Sequence, residues 1–86
     1  MIFAKGVKVS GSHNRRKTPV RTAFGKIVKE KRHMVGLTQE ELAEKANLHA
    51  TYIGSVERGE RNIALENIIA LARALKCSPR DLLPEK

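Results

Sequence analysis

The stretch Thr38–Gly59, TQEELAEKANLHATYIGSVERG, predicts two short helices joined by a tight turn, and it decides the fold. Thr38 and Glu41 have the spacing of a capping box, in which each side chain accepts a hydrogen bond from the other residue's backbone N–H. Asn47 tolerates a positive φ, which suits the turn. Gly59 is a C-terminal stop for the second helix. Most positions therefore have a structural role, and the few without one are left to face a ligand.

Apolar residues at helical spacing extend this pattern on both sides. A first helix is predicted at about Ala23–Val35 and a fourth at about Leu65–Leu75. The helix pair lies between them, with its second member starting near His49 or Ala50. Ser78, followed by proline, is typical of the start of a short fifth helix. The sequence therefore predicts a compact, all-α domain of five helices.

The chain of 86 residues is short enough for a single domain. It holds one cysteine, Cys77, so no internal disulfide is expected and a reducing compartment is favoured. Neither a long apolar run for a membrane span nor a secretory signal is evident. We therefore expect a cytoplasmic protein with no membrane partner.

Positive charge is concentrated at the start of the chain. Of the 17 Lys and Arg residues, six lie in residues 1–21, which contain no Asp or Glu, and the net charge of the whole chain is +8. We expect residues 1–21 to form a mobile basic arm on a domain at 22–84. Such an arm favours a polyanionic partner, the alternative being a merely solubilising tail. The basic residues nearest the domain are Arg15, Arg16, Lys17 and Arg21.

Residue types that would indicate an enzyme or a metal site are missing from the pattern. The histidines His13, His33 and His49 have no partners at metal-ligand spacing. No glycine-rich phosphate loop, carboxylate–histidine cluster or Ser-His-Asp arrangement can be recognised. We therefore expect neither catalysis, nor a metal, nor a cofactor.

Three motifs resemble those of the Cro/CI-type (XRE) helix-turn-helix family: Gly36–Ala43 (GLTQEELA), Tyr52–Ile53 and Val56–Gly59 (VERG). The resemblance covers about residues 23–83 and not the arm. It implies a lambda-repressor-like fold and a sequence-specific, nucleoid-associated regulator that binds double-stranded DNA. Such regulators bind palindromic operators as homodimers, here with His49–Arg58 as the recognition helix in the major groove. In size the chain is similar to phage repressors and restriction–modification controller proteins.

The resemblance also implies roles position by position. The residues at base-reading positions are His49, Ala50, Thr51 and Ser55. The residues expected at DNA phosphates are Gln39 and Arg58, together with Arg61 and Tyr52. For these last two the alternatives are a solvated loop arginine and a packing tyrosine. The residues expected to bridge the first and third helices are Arg32 and Glu57, the alternative being an ordinary solvated pair.

The side chains at the base-reading positions are short and weakly discriminating. Thr51 and Ser55 can exchange hydrogen bonds with base edges, and Ala50 can pack against a thymine methyl. None offers the bidentate contact of Arg with guanine or Gln with adenine. We therefore expect DNA shape and the basic arm to contribute to recognition.

The last two predicted helices carry more apolar residues than one small core requires. The excess is assigned to a dimer interface of Ile69, Leu71, Leu82 and Leu83, the alternative being core packing alone. Two other functions remain open at this point. One is an antitoxin-type regulator whose main partner is a toxin protein, and the other is a protein-binding adaptor that does not bind DNA.

Overall fold

The computed structural model describes residues 16–85, which form four α-helices and one 3₁₀ helix. The elements are α1 (Pro19–Met34), α2 (Gln39–Ala46), α3 (Ala50–Glu57), α4 (Leu65–Leu75) and a C-terminal 3₁₀ helix (Pro79–Leu82). The predicted all-α fold is confirmed, although the fifth helix is a single 3₁₀ turn. Arg15 and the predicted arm up to that residue lie outside the described residues.

Helix α1 begins at Pro19, four residues before the predicted start at Ala23. The Thr18 hydroxyl accepts a hydrogen bond from the backbone N–H of Arg21 at 3.2 Å, which caps the helix. Arg21, expected in the arm, therefore lies in the first turn of α1, and its guanidinium donates to the carbonyl of Arg16 at 2.9 Å. The prediction missed this start because it followed apolar spacing, which the capping turn of a helix does not carry.

The helix pair has the predicted cap and turn. Thr38 Oγ1 accepts from the N–H of Glu41 at 3.0 Å, and Glu41 Oε1 accepts from the N–H of Thr38 at 2.9 Å. Asn47 ends α2 with φ 59° and ψ 45°, the left-handed conformation expected of it. These features place the start of α3 at Ala50, with His49 at the N-cap but without a side-chain capping bond.

The core lies where all five elements meet. Its fully buried large side chains include Val28, Leu42, Ile53, Val56, Leu71 and Leu82. The assignment of Leu71 and Leu82 to a dimer interface is therefore wrong, since each is 0% exposed. The apolar stripe of α4 is wide enough to reach both the core and the surface, and apolar spacing alone did not separate the two. Ile69 and Leu83, by contrast, are exposed.

Helices α1 and α3 pack very closely at Gly25. A Cβ atom at this position would clash with the backbone carbonyl of Val56 and would lie 2.8 Å from that of Glu57. Only glycine allows this approach, because neither carbonyl belongs to a movable side chain. The close contact with α1 at Gly25 therefore fixes the position of α3.

Candidate nucleic-acid interface

Residues on one face of α3 lie at helical spacing and line a shallow depression with the start of α2. The residues lining it are Gln39, Glu40, Ala50, Thr51, Gly54 and Arg58. Thr51 and Arg58 are exposed, and Ala50 is half-buried. This face comprises the part of α3 that the core leaves open to a ligand.

Arg32 and Glu57 form the bridge expected between α1 and α3. Arg32 donates from Nε to Glu57 Oε2 at 2.7 Å and from Nη2 to Oε1 at 3.1 Å. The side chains are only 9% and 3% exposed. The hydrogen bond to Glu57 raises the pKa of Arg32 and outweighs the opposing effect of burial. The pair is thus a buried, two-pronged ion pair and not the solvated one of the alternative.

Two further hydrogen bonds connect this bridge to α2. Arg32 Nη1 donates to the carbonyl of Leu37, just before α2, at 2.8 Å. Gln39 Nε2, in the first turn of α2, donates to Glu57 Oε1 at 2.9 Å. The remaining amide hydrogen of Gln39 and its backbone N–H stay available for an anion, and the dipole of α2 favours one there.

Arg58, at the end of α3, pairs with Glu60 on the surface. The distances are 3.0 Å from Nε to Oε2 and 3.2 Å from Nη2 to Oε1. The hydrogen bond to Glu60 also raises the pKa of Arg58. Because these two bonds use Nε and Nη2, the donor Nη1 is not engaged by Glu60.

Ser55 does not lie where the sequence predicted. The residue is only 1% exposed, not on the open face of α3. Its hydroxyl donates to the carbonyl of Tyr52 at 2.7 Å and accepts from Arg61 Nε at 2.8 Å. Arg61, from the loop after α3, covers the position that Ser55 was expected to present. The expectation of an exposed, base-reading Ser55 is corrected: in this arrangement it anchors Arg61.

Tyr52 and Arg61 form a second polar unit at the edge of α3. The guanidinium carbon of Arg61 lies 5.2 Å from the centre of the Tyr52 ring, within the range of a cation–π contact. Asn67 Nδ2 in α4 donates to the Tyr52 hydroxyl at 3.1 Å. Ser55 and Asn67 therefore hold this unit in place. Sequence reasoning missed both supports, since no helical spacing connects them with their partners across the loop.

The remaining predicted DNA-contacting residues are distributed over two regions. His49 is exposed at the N-cap of α3, next to Ala50 and Thr51. Arg16 and Lys17 are exposed just before α1. The first residues of α1 line a depression with Pro84 and Glu85, so the two ends of the described chain lie close together.

Apolar side chains are also exposed on α4 and just after the C-terminal 3₁₀ helix. Leu65 and Ile69, one turn apart on α4, are 72% and 39% exposed, and Leu83 is 51% exposed. Leu83 also borders an apolar depression with Val20, Ile68 and others. Exposed apolar residues of this kind are typical of an association surface.

Residues 16–85 contain no cluster of three His, Cys, Asp or Glu side chains suited to a metal ion. No helix within this range is both long and apolar enough to cross a membrane. Cys77 packs beside the core, where burial raises the pKa of its thiol.

Comparison with known proteins agrees with this geometry. The helix-turn-helix family model HTH_3 matches residues 28–82. The control protein C.SmaI of Serratia marcescens is 47% identical over 64 residues, covering 74% of this chain and 76% of that protein. The control protein C.BamHI of Bacillus amyloliquefaciens is 43% identical over 65 residues, covering 74% and 80%.

A solved structure shows the same likeness. The restriction–modification controller protein C.AhdI of Aeromonas hydrophila superimposes with a TM-score of 0.72 at 46% identity, covering 73% of this chain and 96% of that one. The match of the HTH_3 family model, over residues 28–82, begins within α1, ends at the C-terminal 3₁₀ helix and includes the whole helix pair. The chain therefore belongs to the Cro/CI-type (XRE) helix-turn-helix family of transcription regulators.

Proposed function

We propose that the protein is a sequence-specific regulator that binds a palindromic operator in double-stranded DNA as a homodimer, with α3 in the major groove. The main support for the proposal is the way in which α3 is held. The inner side of α3 is fixed by Gly25 and by the Arg32–Glu57 pair, while the side bearing Thr51 and Arg58 is open. A rigidly held helix with one open polar face suits groove binding.

Two groups of residues divide the contacts to DNA. His49, Ala50 and Thr51, at the start of α3, face base edges, while Ser55 is withdrawn to anchor Arg61. The residues that contact the sugar–phosphate backbone are Gln39, Arg58, Arg61 and Tyr52. Because Ser55 is buried, Thr51 is the main residue within α3 that can form hydrogen bonds to base edges. A larger share of recognition therefore depends on DNA shape.

The homodimer forms through the exposed apolar surface of Leu65, Ile69 and Leu83. A two-fold dimer would present its two α3 helices to half-sites about one turn of DNA apart, roughly 10 bp from centre to centre. Binding then requires dimerisation, so the response of the regulated promoter depends on protein concentration.

Of the proteins that the chain resembles, C.SmaI is named as a control protein and C.AhdI as a restriction–modification controller protein. We extend that role to this protein as a proposal: it regulates transcription of the genes of such a system. The likeness in sequence covers the whole helix pair and the flanking helices, which supports a shared mode of operator binding.

In-vitro selection of binding sites from a random duplex pool, run at two salt concentrations, tests the proposal. We expect enrichment of a palindrome whose half-sites lie about 10 bp apart. The Thr51→Ala variant serves as the matched control, since it should relax the preference at one or two positions while leaving affinity for random DNA nearly unchanged. A pool without enrichment would instead favour a protein-binding role.

A second measurement addresses the dimer. Replacement of Ile69 by Asp should shift the protein to monomer in sedimentation equilibrium, because it places a charge in the apolar surface. The exposed Lys45→Asp substitution on α2 is a control that changes charge away from this surface. Equal association of the two variants would exclude the proposed interface.

A further inference from the structure

Gly54 lies in the middle of α3, on the face that carries Thr51 and Arg58. A glycine inside a helix is less favourable than alanine, because it loses more backbone freedom on folding. Its backbone does not require glycine either, since the positive-φ residues of the described chain do not include it. The presence of glycine at position 54 must therefore have another structural reason.

The surroundings of Gly54 differ from those of Gly25. At Gly25 a Cβ atom would meet backbone carbonyls, which cannot move aside. At Gly54 it would meet side-chain ends, 3.3 Å from Arg58 Nη1 and 3.6 Å from Gln39 Oε1. The fold therefore tolerates a larger residue at position 54. The Arg58 guanidinium would have to move away by a few tenths of an ångström, whereas the Gln39 oxygen would be at ordinary contact distance.

Both of these groups are held by hydrogen bonds to glutamate carboxylates. Glu60 holds Nε and Nη2 of Arg58, and Glu57 holds Nε2 of Gln39. Arg58 Nη1, a donor, and Gln39 Oε1, an acceptor, lie nearest to Gly54, at the depression beside the start of α2. Glu40 also lies on this depression but is exposed, so its carboxylate can turn toward solvent.

We propose that Gly54 is a positioning residue for a DNA phosphate: its missing side chain lets the Arg58 guanidinium lie close against α3, beside the start of α2. The proposal rests on the proposed function and adds a residue to its phosphate site. A Cβ atom at this position would push Arg58 Nη1 outward by a few tenths of an ångström. It would do so without weakening the helix that carries it.

The test is the Gly54→Ala substitution in the full chain, measured by thermal unfolding and by fluorescence anisotropy on random-sequence duplex over a range of salt. We expect the melting temperature to rise by about 4 °C, because alanine favours the helix. Affinity should fall about fivefold, the order expected for one hydrogen bond. The slope of log K against log salt should decrease by less than about 1, since the phosphate contact of Arg58 is weakened while its charge is retained.

A double-variant comparison shows whether Gly54 acts through Arg58. In an Arg58→Ala background, Gly54→Ala should cause no further loss of affinity. An equal loss in both backgrounds would overturn the inference and point to direct approach of DNA to Gly54. Gly25→Ala is the matched control, because the clash with α3 should lower its melting temperature.

The remaining outcomes are also decisive. Wild-type affinity and salt slope in Gly54→Ala would overturn the inference alone, leaving the proposed function intact. Absence of DNA binding by the unsubstituted protein would overturn both. Gly54→Ser adds the same Cβ atom and must show the same loss of salt slope, so the test remains available if the alanine variant folds poorly.

Discussion

Two arginine–glutamate pairs flank the end of α3, and they share the same chemistry in different surroundings. In the first pair Arg32 and Glu57 are 9% and 3% exposed and meet at 2.7 Å. In the second Arg58 and Glu60 are 56% and 20% exposed and meet at 3.0 Å. Each pair is held by two hydrogen bonds. Burial is therefore the main physical difference between them.

This difference in burial indicates different roles for the two pairs at the end of α3. The buried pair is joined to the carbonyl of Leu37 and the amide of Gln39, so removal of one partner leaves several polar groups unpaired. The exposed pair adds little to stability because water screens it and solvates each partner. It can instead hold a cation ready for a DNA phosphate. The comparison predicts opposite outcomes for substitutions in the two pairs.

The largest effect is expected for Glu57→Ala. It leaves Arg32 as an uncompensated buried charge, and such losses destabilise proteins by about 3–5 kcal/mol. Since small domains have a total stability of only about 5–15 kcal/mol, the variant should melt far below the wild type. Thermal unfolding followed by circular dichroism measures this, with Glu60→Ala as the matched control. Similar melting temperatures for the two variants would break the comparison.

Arg58→Ala should have the reverse profile. The melting temperature should hardly change, because the guanidinium is on the surface. Affinity for DNA should fall about tenfold, the order expected for loss of one charged hydrogen bond. The salt slope should decrease by about 1. An anisotropy titration at several salt concentrations gives both quantities, and an unchanged slope would remove Arg58 from the phosphate contacts.

The contrast also explains how far the sequence predicted the molecule. The capping box of Thr38, the left-handed Asn47 and the glycine stops are local signals, so the helix pair was predicted nearly residue by residue. Family resemblance supplied the pairing of Arg32 with Glu57, which are 25 residues apart and share no local pattern.

Predictions failed where side chains from different elements compete for the same space. Ser55 was expected on the open face because the spacing of α3 allows it, but Arg61 folds back over it. Leu71 and Leu82 were assigned to an interface, although both are buried. Periodicity alone cannot show which edge of the wide apolar stripe of α4 faces the core, nor which of the adjacent Leu82 and Leu83 does so. Such outcomes depend on packing across loops.

A smaller effect is expected for Ser55→Ala, which tests the anchoring of Arg61. The substitution removes the acceptor of Arg61 Nε, while alanine favours the helix, so stability should change by less than about 1 kcal/mol. DNA affinity should fall about threefold because Arg61 and Tyr52 are less well ordered. The same substitution in an Arg61→Ala background should have no effect on affinity. A further loss there would mean that Ser55 contacts DNA itself.

The smallest effect, and the one of opposite sign, is expected for Glu60→Gln. Glu60 both orients Arg58 and competes with a phosphate for its charge, so the two roles oppose each other. The glutamine retains one acceptor oxygen and removes the negative charge. It should therefore raise affinity for random DNA about twofold and steepen the salt slope slightly, because one repulsive charge near the phosphates is gone.

Glu44→Gln is a control for net charge alone, since Glu44 is exposed on α2 and pairs with no arginine in residues 16–85. An equal gain in both variants would show that Glu60 acts only through the overall field. A loss of affinity in Glu60→Gln would show that its orienting role outweighs its competition. In that case the exposed pair would resemble the buried one, because a carboxylate would maintain the geometry of the arginine in both. The two pairs would then differ only in what the oriented arginine does: Arg32 would stabilise the fold, and Arg58 would bind DNA.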